Sequence, residues 1–193
     1  IMENLMGIKR TNGSNQKGKK PLLISDLKVL IKAIDQSKEK SFRKIRDKAL
    51  VLIGFSGGFR RTELVNIEYE DVEFVTEGVK IFVKRSKTDQ SGEGMTKAIP
   101  YFDNENFCPV KSFKNWIEIS NLKIGKIFNI SDKGVALIIK KYANYAGLDG
   151  HKYAGHSLRS GFATSAAESG AEERNIMVMT GHKSTEMVRR YIK

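Results

Sequence analysis

His156-Ser157-Leu158-Arg159, Gly181-His182-Lys183-Ser184 and Arg189-Arg190-Tyr191 follow one another near the end of the chain. Between residues 156 and 191 they set two histidines, an arginine and a tyrosine at helix or turn positions. Between them these residue types suit one task, holding a phosphate and attacking it. If a helix opens at His156, Arg159 shares its face beside the N-terminus. Unpaired N–H groups and the helix dipole favour an anion there, and arginine adds a rigid fork of donors matched to two phosphate oxygens. Tyr191 is the candidate nucleophile. An ordinary tyrosine has a pKa near 10, so roughly one in a thousand is ionised at neutral pH. Cationic neighbours lower that value, and a histidine can accept the proton. Taken singly, each residue has a blander reading: a chance histidine–arginine pair, or a packing tyrosine near a chain end. The other parts must come from elsewhere in the sequence.

Working outward, Arg60 follows the Gly57-Gly58 turn and offers a second fork, although a surface arginine is the simpler reading in isolation. Lys87 stands at the lip of the loop Lys87-Thr88-Asp89-Gln90-Ser91-Gly92-Glu93-Gly94, where a mobile ammonium can protonate a leaving oxygen. Lys84 and Lys97 are rivals for that part. His151, His156 and His182 lack a recognisable metal-ligand spacing, and no carboxylate cluster accompanies them.

The chain of 193 residues carries a formal charge of +12 and a pI near 9.7. Such a balance favours a polyanionic partner, nucleic acid first and an acidic membrane second. No amphipathic anchor, apolar span or signal peptide supports the membrane, so a cytoplasmic protein is expected. Residues 1 to 48 hold thirteen Lys/Arg against five Asp/Glu. The one cysteine, Cys108, excludes an intramolecular disulfide and reads as a small buried residue. Ile1 at the start, and the stop two residues after Tyr191, read as a piece of a longer protein.

Residues 1–20, polar and glycine-bearing, read as a linker. Ser25 is the expected N-cap of a helix carrying Leu27, Leu30, Ile31 and Ile34 on one face. A second helix, from about Ser41 to Phe55, aligns Phe42, Ile45, Ala49, Leu52 and Ile53, and Gly57-Gly58 stops it. A short helix from Phe59 to about Ile67 follows. The period then changes to two: Val72 and Phe74, then Val79, Ile81 and Val83, form strands around a Glu77-Gly78 turn, with a third strand from Ala98 to Phe102. Pro109 opens a helix that buries Val110, Phe113, Trp116 and Ile117. Another helix runs from about Lys133 to Ala146, ended by Gly147. Three short helices, punctuated by Gly170 and Gly181, complete the chain. The fold class is α+β, mainly helical, with a small three-stranded antiparallel sheet.

Gly58-Phe59-Arg60-Arg61-Thr62-Glu63-Leu64 resembles the first arginine box of the tyrosine recombinase (phage integrase) family. His156-Ser157-Leu158-Arg159, with Gly181-His182-Lys183-Ser184 and Tyr191, resembles its second box, and Ser86-Lys87-Thr88 resembles its strand-loop lysine. The match runs from about residue 21 to the end, in the family's order. The resemblance implies an integrase-type catalytic domain over 21–193, behind an interdomain linker over 1–20. It implies a site-specific DNA recombinase in which Tyr191 attacks a phosphodiester, giving a 3′-phosphotyrosyl link and a free 5′-hydroxyl, without ATP, metal or other cofactor. Arg60, Arg159 and His156 would hold the nonbridging oxygens. Lys87 would protonate the leaving 5′-oxygen, His182 would donate to the phosphate and His156 would take the tyrosine proton. Glu63 would orient the basic residues. Double-stranded DNA is the implied partner, with a tetramer on DNA for the full-length protein and no membrane. The family's separate N-terminal DNA-clamping domain and its tail after the tyrosine are expected to be missing here. A type IB topoisomerase-like nicking and closing protein shares this chemistry, and a non-catalytic DNA-binding module shares the charge.

Overall fold

The structure, a computed structural model, describes residues 19–84, 94–182, 184–189 and 191. Helix α1, Ile24–Gln36, buries Leu27, Leu30, Ile31 and Ile34, the face its spacing predicts. The cap expected at Ser25 does not form: Leu23 holds the N-cap position without a side-chain bond, and Ser25 falls inside the first turn. Tertiary bonds set the start instead. Lys20 N donates to Lys152 O at 2.7 Å and Leu22 N to Ser157 O at 2.9 Å. Asp26, in the first turn, accepts from Lys20 Nζ at 2.9 Å and from the Tyr153 hydroxyl at 3.0 Å. Of the stretch read as a linker, residues 1–18 lie outside the described residues, while Lys19 and Lys20 are bonded to the turn around residues 151–153.

Helix α2, Ser41–Ser56, is the axis of the molecule, with every residue from Ala49 to Ser56 buried. A helix apolar all round belongs inside, and the single stripe read from its sequence understates this burial. Phe42 departs from the stripe in the other direction. It lies in the first turn, half exposed, and packs edge-on against Trp116 with ring centroids 4.8 Å apart. Helix α3, Arg61–Val65, ends two residues short of expectation, because Ile67 O accepts from Ile127 N at 3.0 Å and the chain there runs beside residue 127 rather than coiling.

Strands β1, Val72–Val75, β2, Gly78–Val83, and β3, Met95–Pro100, form one antiparallel sheet in the order β1-β2-β3, with Phe74 opposite Val79 and Ile81 opposite Lys97. The third strand starts three residues before the expected Ala98 and ends two short of Phe102. Its inward residues are Lys97 and Ile99, while Ala98 is exposed. A lysine at an inward position hides the alternation that marks a half-buried strand.

Helix α4, Pro109–Ser120, opens on proline and buries Val110, Phe113, Trp116 and Ile117 as expected. Cys108, just before it, is fully buried. Helix α5, Asp132–Tyr145, is capped by Ser131, whose hydroxyl oxygen accepts from Gly134 N at 3.1 Å. Three helices follow: α6, His156–Glu168; α7, Glu173–Thr180; and α8, Thr185–Arg189. Helices α1, α4 and α6 pack on α2, so a single main core gathers around that helix. Gly161 makes one of these approaches possible: a Cβ there would lie 2.0 Å from Leu22 O. A separate small cluster, Ala163, Ile176 and Val188 with Met177 and Tyr191 against it, joins α6, α7 and α8. No helix among the described residues is long and apolar enough to cross a membrane.

Candidate active site

The turn after α2 builds the first half of the site. Gly58 takes a left-handed φ of 55°, which glycine adopts without strain, and this directs the chain into α3. Arg60 is the N-cap residue of α3. Its backbone N–H donates to Glu63 Oε2 at 2.9 Å, its Nη1 to Glu63 Oε1 at 2.6 Å and its Nη2 to Gly181 O at 3.4 Å. The arginine is therefore a braced group and not a surface side chain; only 14% of its side chain is exposed, and 1% of that of Glu63. Burial pushes the Glu63 carboxyl up, but the Arg60 backbone N–H, Lys97 and the Arg60 guanidinium together hold it below the usual carboxylate range.

The second half comes from α6. His156 is its first residue and Arg159 lies one turn on, as the spacing predicts. Arg159 is buried and donates from Nη1 to Gly58 O at 3.0 Å, which ties the two arginine boxes together. Its Nη2 is buried with no hydrogen-bond partner among the described residues. Burial, with Arg60 next in weight, draws its pKa down to about 10, so it is still a cation at neutral pH. Leaving a buried N–H unpaired costs about 1–3 kcal/mol, more for a charged group. An anionic oxygen is the partner that would remove the cost. His156 is exposed at the helix N-terminus, held below its usual pKa by lost hydration and by Arg61, Arg159 and Arg60.

Gly181, left-handed at φ 63°, ends α7 and turns the chain so that the buried His182 faces back. His182 Nδ1 lies 2.7 Å from Thr180 Oγ1. Burial and the cations Arg159, Arg60 and Lys97 pull the imidazole pKa down to about 4, so it is neutral at pH 7. The Tyr191 ring lies beside it, centroids 5.6 Å apart and planes tilted by 31°. Two guanidiniums, two imidazoles, a buried carboxylate and a phenol thus come together from residues 60–63, residues 156–159 and the stretch that carries His182 and Tyr191.

The three lysines raised from the sequence have different fates. Lys97 is fully buried on β3, donates from Nζ to Gly57 O at 2.8 Å and to Met179 O, and lies 4.8 Å from the centre of the Phe59 ring. Burial first, then Arg159 and Arg60, lower it to about 7 against the pull of Glu63. It braces the carbonyls of both halves of the site. Lys84 is paired with Glu68 and with Asp71, the latter at 3.1 Å. Lys87 lies outside the described residues. Two contributors escaped the sequence reading, Lys97 as a buried brace and Thr180 as the partner of His182. A lysine on a short strand gives no sign of burial, and a threonine in a short helix gives no periodic signal. Among the described residues no group of three or more His, Cys, Asp and Glu is placed to hold a metal.

This chemistry fits what the chain is similar to. The family profile described as "Phage integrase family" matches residues 22–193. The "Integrase/recombinase xerD homolog" of Selenomonas ruminantium is 45% identical over 201 residues, covering 98% of this chain and 58% of that protein. "Tyrosine recombinase XerC" of Staphylococcus aureus is 29% identical over 172 residues, covering 86% of this chain and 54% of that one. The chain therefore spans little more than half the length of these relatives. Among solved structures, XerH site-specific recombinase bound to palindromic difH substrate, a post-cleavage complex, has a TM-score of 0.74 at 19% identity, over 93% of this chain and 51% of the other. The catalytic domain of bacteriophage HP1 integrase has a TM-score of 0.59 at 21% identity, over 90% and 86%.

Proposed function

The chain belongs to the phage integrase family, and from that premise we propose that it is the catalytic part of a site-specific DNA recombinase, with double-stranded DNA as its substrate. The observation that carries this reading is the pair of braced arginines, Arg60 and Arg159, with one buried N–H of Arg159 still unpaired among the described residues. A nonbridging phosphate oxygen completes that fork, and the paired guanidiniums stabilise the charge that builds there as phosphorus gains a fifth oxygen. Such a cationic site needs no metal for this step. Tyr191 attacks, the 3′-phosphotyrosyl bond forms, and the 5′-oxygen leaves with a proton from Lys87. In support of Lys87, the Nζ groups of its two rivals already hold protein partners, backbone carbonyls for Lys97 and carboxylates for Lys84. A 5′-hydroxyl of another strand then reverses the step and conserves the bond energy.

Residues 21–193 form the catalytic domain in this reading, with 1–20 leading to another part of the protein. The full-length protein assembles as a tetramer on DNA and works in the bacterial cytoplasm at the nucleoid. The test is a nicked duplex whose short cleaved fragment diffuses away and traps the covalent complex for a denaturing gel. A shifted band that vanishes in Tyr191→Phe, with DNA affinity unchanged, is expected. Equal bands from both proteins would overturn the assignment of the nucleophile. Salt-sensitive binding with no band, from this chain and from the full-length protein, would make it a binding module.

A further inference from the structure

We propose that Arg61 is a further DNA-binding residue of this site, whose guanidinium takes the backbone phosphate next to the scissile one in exchange for Asp132. The inference rests on the recombinase reading above. Arg60 and Arg159 are held by their heads, bonded to Glu63, Gly181 O and Gly58 O. Arg61 is mounted the other way, with a fixed stem and an open head. A Cβ on Gly155 would lie 1.8 Å from Arg61 Cδ and 2.2 Å from its Cγ, so the stem lies flat on the backbone of that residue. The backbone itself gives no reason for glycine there. Its φ of −60° and ψ of −23° are ordinary right-handed helical values, open to residues with a side chain. The missing side chain is room kept for Arg61.

Among the described residues the guanidinium makes no hydrogen bond. Its one ion pair there joins Nη1 to Asp132 Oδ2 at 3.9 Å, with 30% and 39% of the two side chains exposed. A pair that long and that open to water holds weakly. The position is also a poor one for a cation. Gly155 is the N-cap of α6 and Asp132 the first residue of α5, and both helix ends carry the positive pole of a dipole. A DNA phosphate relieves that conflict and fills the fork that Asp132 meets only from afar. The location selects which phosphate. After lost hydration, Arg61 is the strongest influence holding His156 below its usual pKa, ahead of Arg159 and Arg60, so its charge stands on the His156 side of the site. Gly155 lies four residues before Arg159, about 6 Å along the helix. One strand carries a phosphate about every 3.4 Å of rise. With the scissile phosphate on Arg159 Nη2, a cation set off by that much meets a neighbour on the strand. Arg60 and Arg159 thus stabilise the reacting group, while Arg61 fixes the register of the strand beside it.

The test is the affinity of this chain for the nicked duplex, titrated across a range of salt, with each variant's fold checked by its melting temperature. Arg61→Gln is expected to bind roughly tenfold more weakly and to lower the slope of log affinity against log salt by about 0.9, the share of one phosphate. Gly155→Ala keeps the charge and suits the backbone but displaces the stem, and is expected to lose most of the same affinity. Asp132→Asn is expected to bind roughly threefold more tightly in the parent and to gain nothing in Arg61→Gln, because the carboxylate acts through that guanidinium. A gain that persists in Arg61→Gln overturns the exchange. Replacing single phosphates that flank the scissile one by neutral methylphosphonate locates the contact: at one position the parent loses affinity and Arg61→Gln does not. Equal losses in both proteins at every flanking position, or an Arg61→Gln salt slope equal to the parent's, overturn the proposal and leave Arg61 a structural partner of Asp132. The tyrosyl adduct decides the recombinase reading separately. An adduct in the parent with an unchanged Arg61→Gln slope removes only the role of Arg61, whereas a parent that neither binds the duplex nor forms an adduct removes both.

Discussion

The two halves of the site are built to different standards. The arginine half hangs on the main core: Arg60, Glu63, Arg159 and Lys97 are all largely buried and brace one another through Gly57 O, Gly58 O and Gly181 O. The nucleophile half rests on the small cluster of Ala163, Ile176 and Val188, reached through two short helices. Groups that bind charge benefit from being preorganised, because dipoles and cations already in place need no rearrangement as the transition state forms. A nucleophile that must reach a phosphate, form a bond and later release it needs a mount with a lower cost of movement. Local stability follows the amount of apolar contact, so the fold itself divides the site into a fixed half and an adjustable half.

The strongest way to break this contrast is Arg159→Lys. Lysine keeps the charge but loses the fork that holds Gly58 O while offering a second donor to an oxygen. A loss of about 10²–10³ in the single-turnover rate is expected, with the stability of the domain little changed. A rate within a factor of three of the parent would mean that charge alone matters and the bracing around Arg159 has no catalytic part.

Lys97 gives the next effect, and it separates bracing from charge. Its pKa is about 7 in the folded chain against 10.5 for the ordinary group, the reverse of a lysine that gains an ion pair. Between those values the unfolded chain binds a proton that the folded chain lacks, so stability rises with pH across this window. Below pH 7 the full cost of burying the charge is present. One proton limits the slope to about 1.4 kcal/mol per pH unit. Tyr142, pushed up by burial and by Asp47, acts only above pH 10, where the ordinary phenol begins to ionise. Urea midpoints at pH 7, 8 and 9 should climb in the parent and flatten in Lys97→Met. Parallel slopes in the two proteins would place the titrating group elsewhere.

The same contrast explains what could be read from the sequence. The fixed half announced itself through spacing, with Arg159 three residues after His156 and Arg60 behind a glycine pair, because local geometry constrains both. The period of two in Val79, Ile81 and Val83 gave the second strand within a residue. What was illegible depends on tertiary partners. Lys97 looks solvent-facing until Gly57 and Met179 are brought to it, and its inward position hides the first three residues of the third strand from a reading by periodicity. Ser25 has the chemistry of a cap, but backbone pairing at Lys20 and Leu22 determines where α1 begins. Phe42 fits the buried stripe by spacing, yet its place in the first turn of α2 carries it past the edge of the core. Thr180 gains meaning only when Gly181 folds His182 back over it.

The smallest effect tests the adjustable half directly. Val188→Ala removes two methyl groups from the cluster under Tyr191, at a cost of about 1–2 kcal/mol. Leu52→Ala, in the middle of α2, should cost about 2–5 kcal/mol. If the nucleophile rides on a separate small unit, Val188→Ala should speed amide exchange in α7 and α8 and slow adduct formation several-fold, while the urea midpoint of the main core barely moves. If the two regions are one cooperative body, exchange should quicken everywhere by the same factor. Leu52→Ala would then affect Tyr191 as much as Val188→Ala does, and mobility of the nucleophile would have to come from the whole domain. The ratio of the two local exchange changes decides between these outcomes even where the total stabilities are similar, because it compares the regions within one molecule.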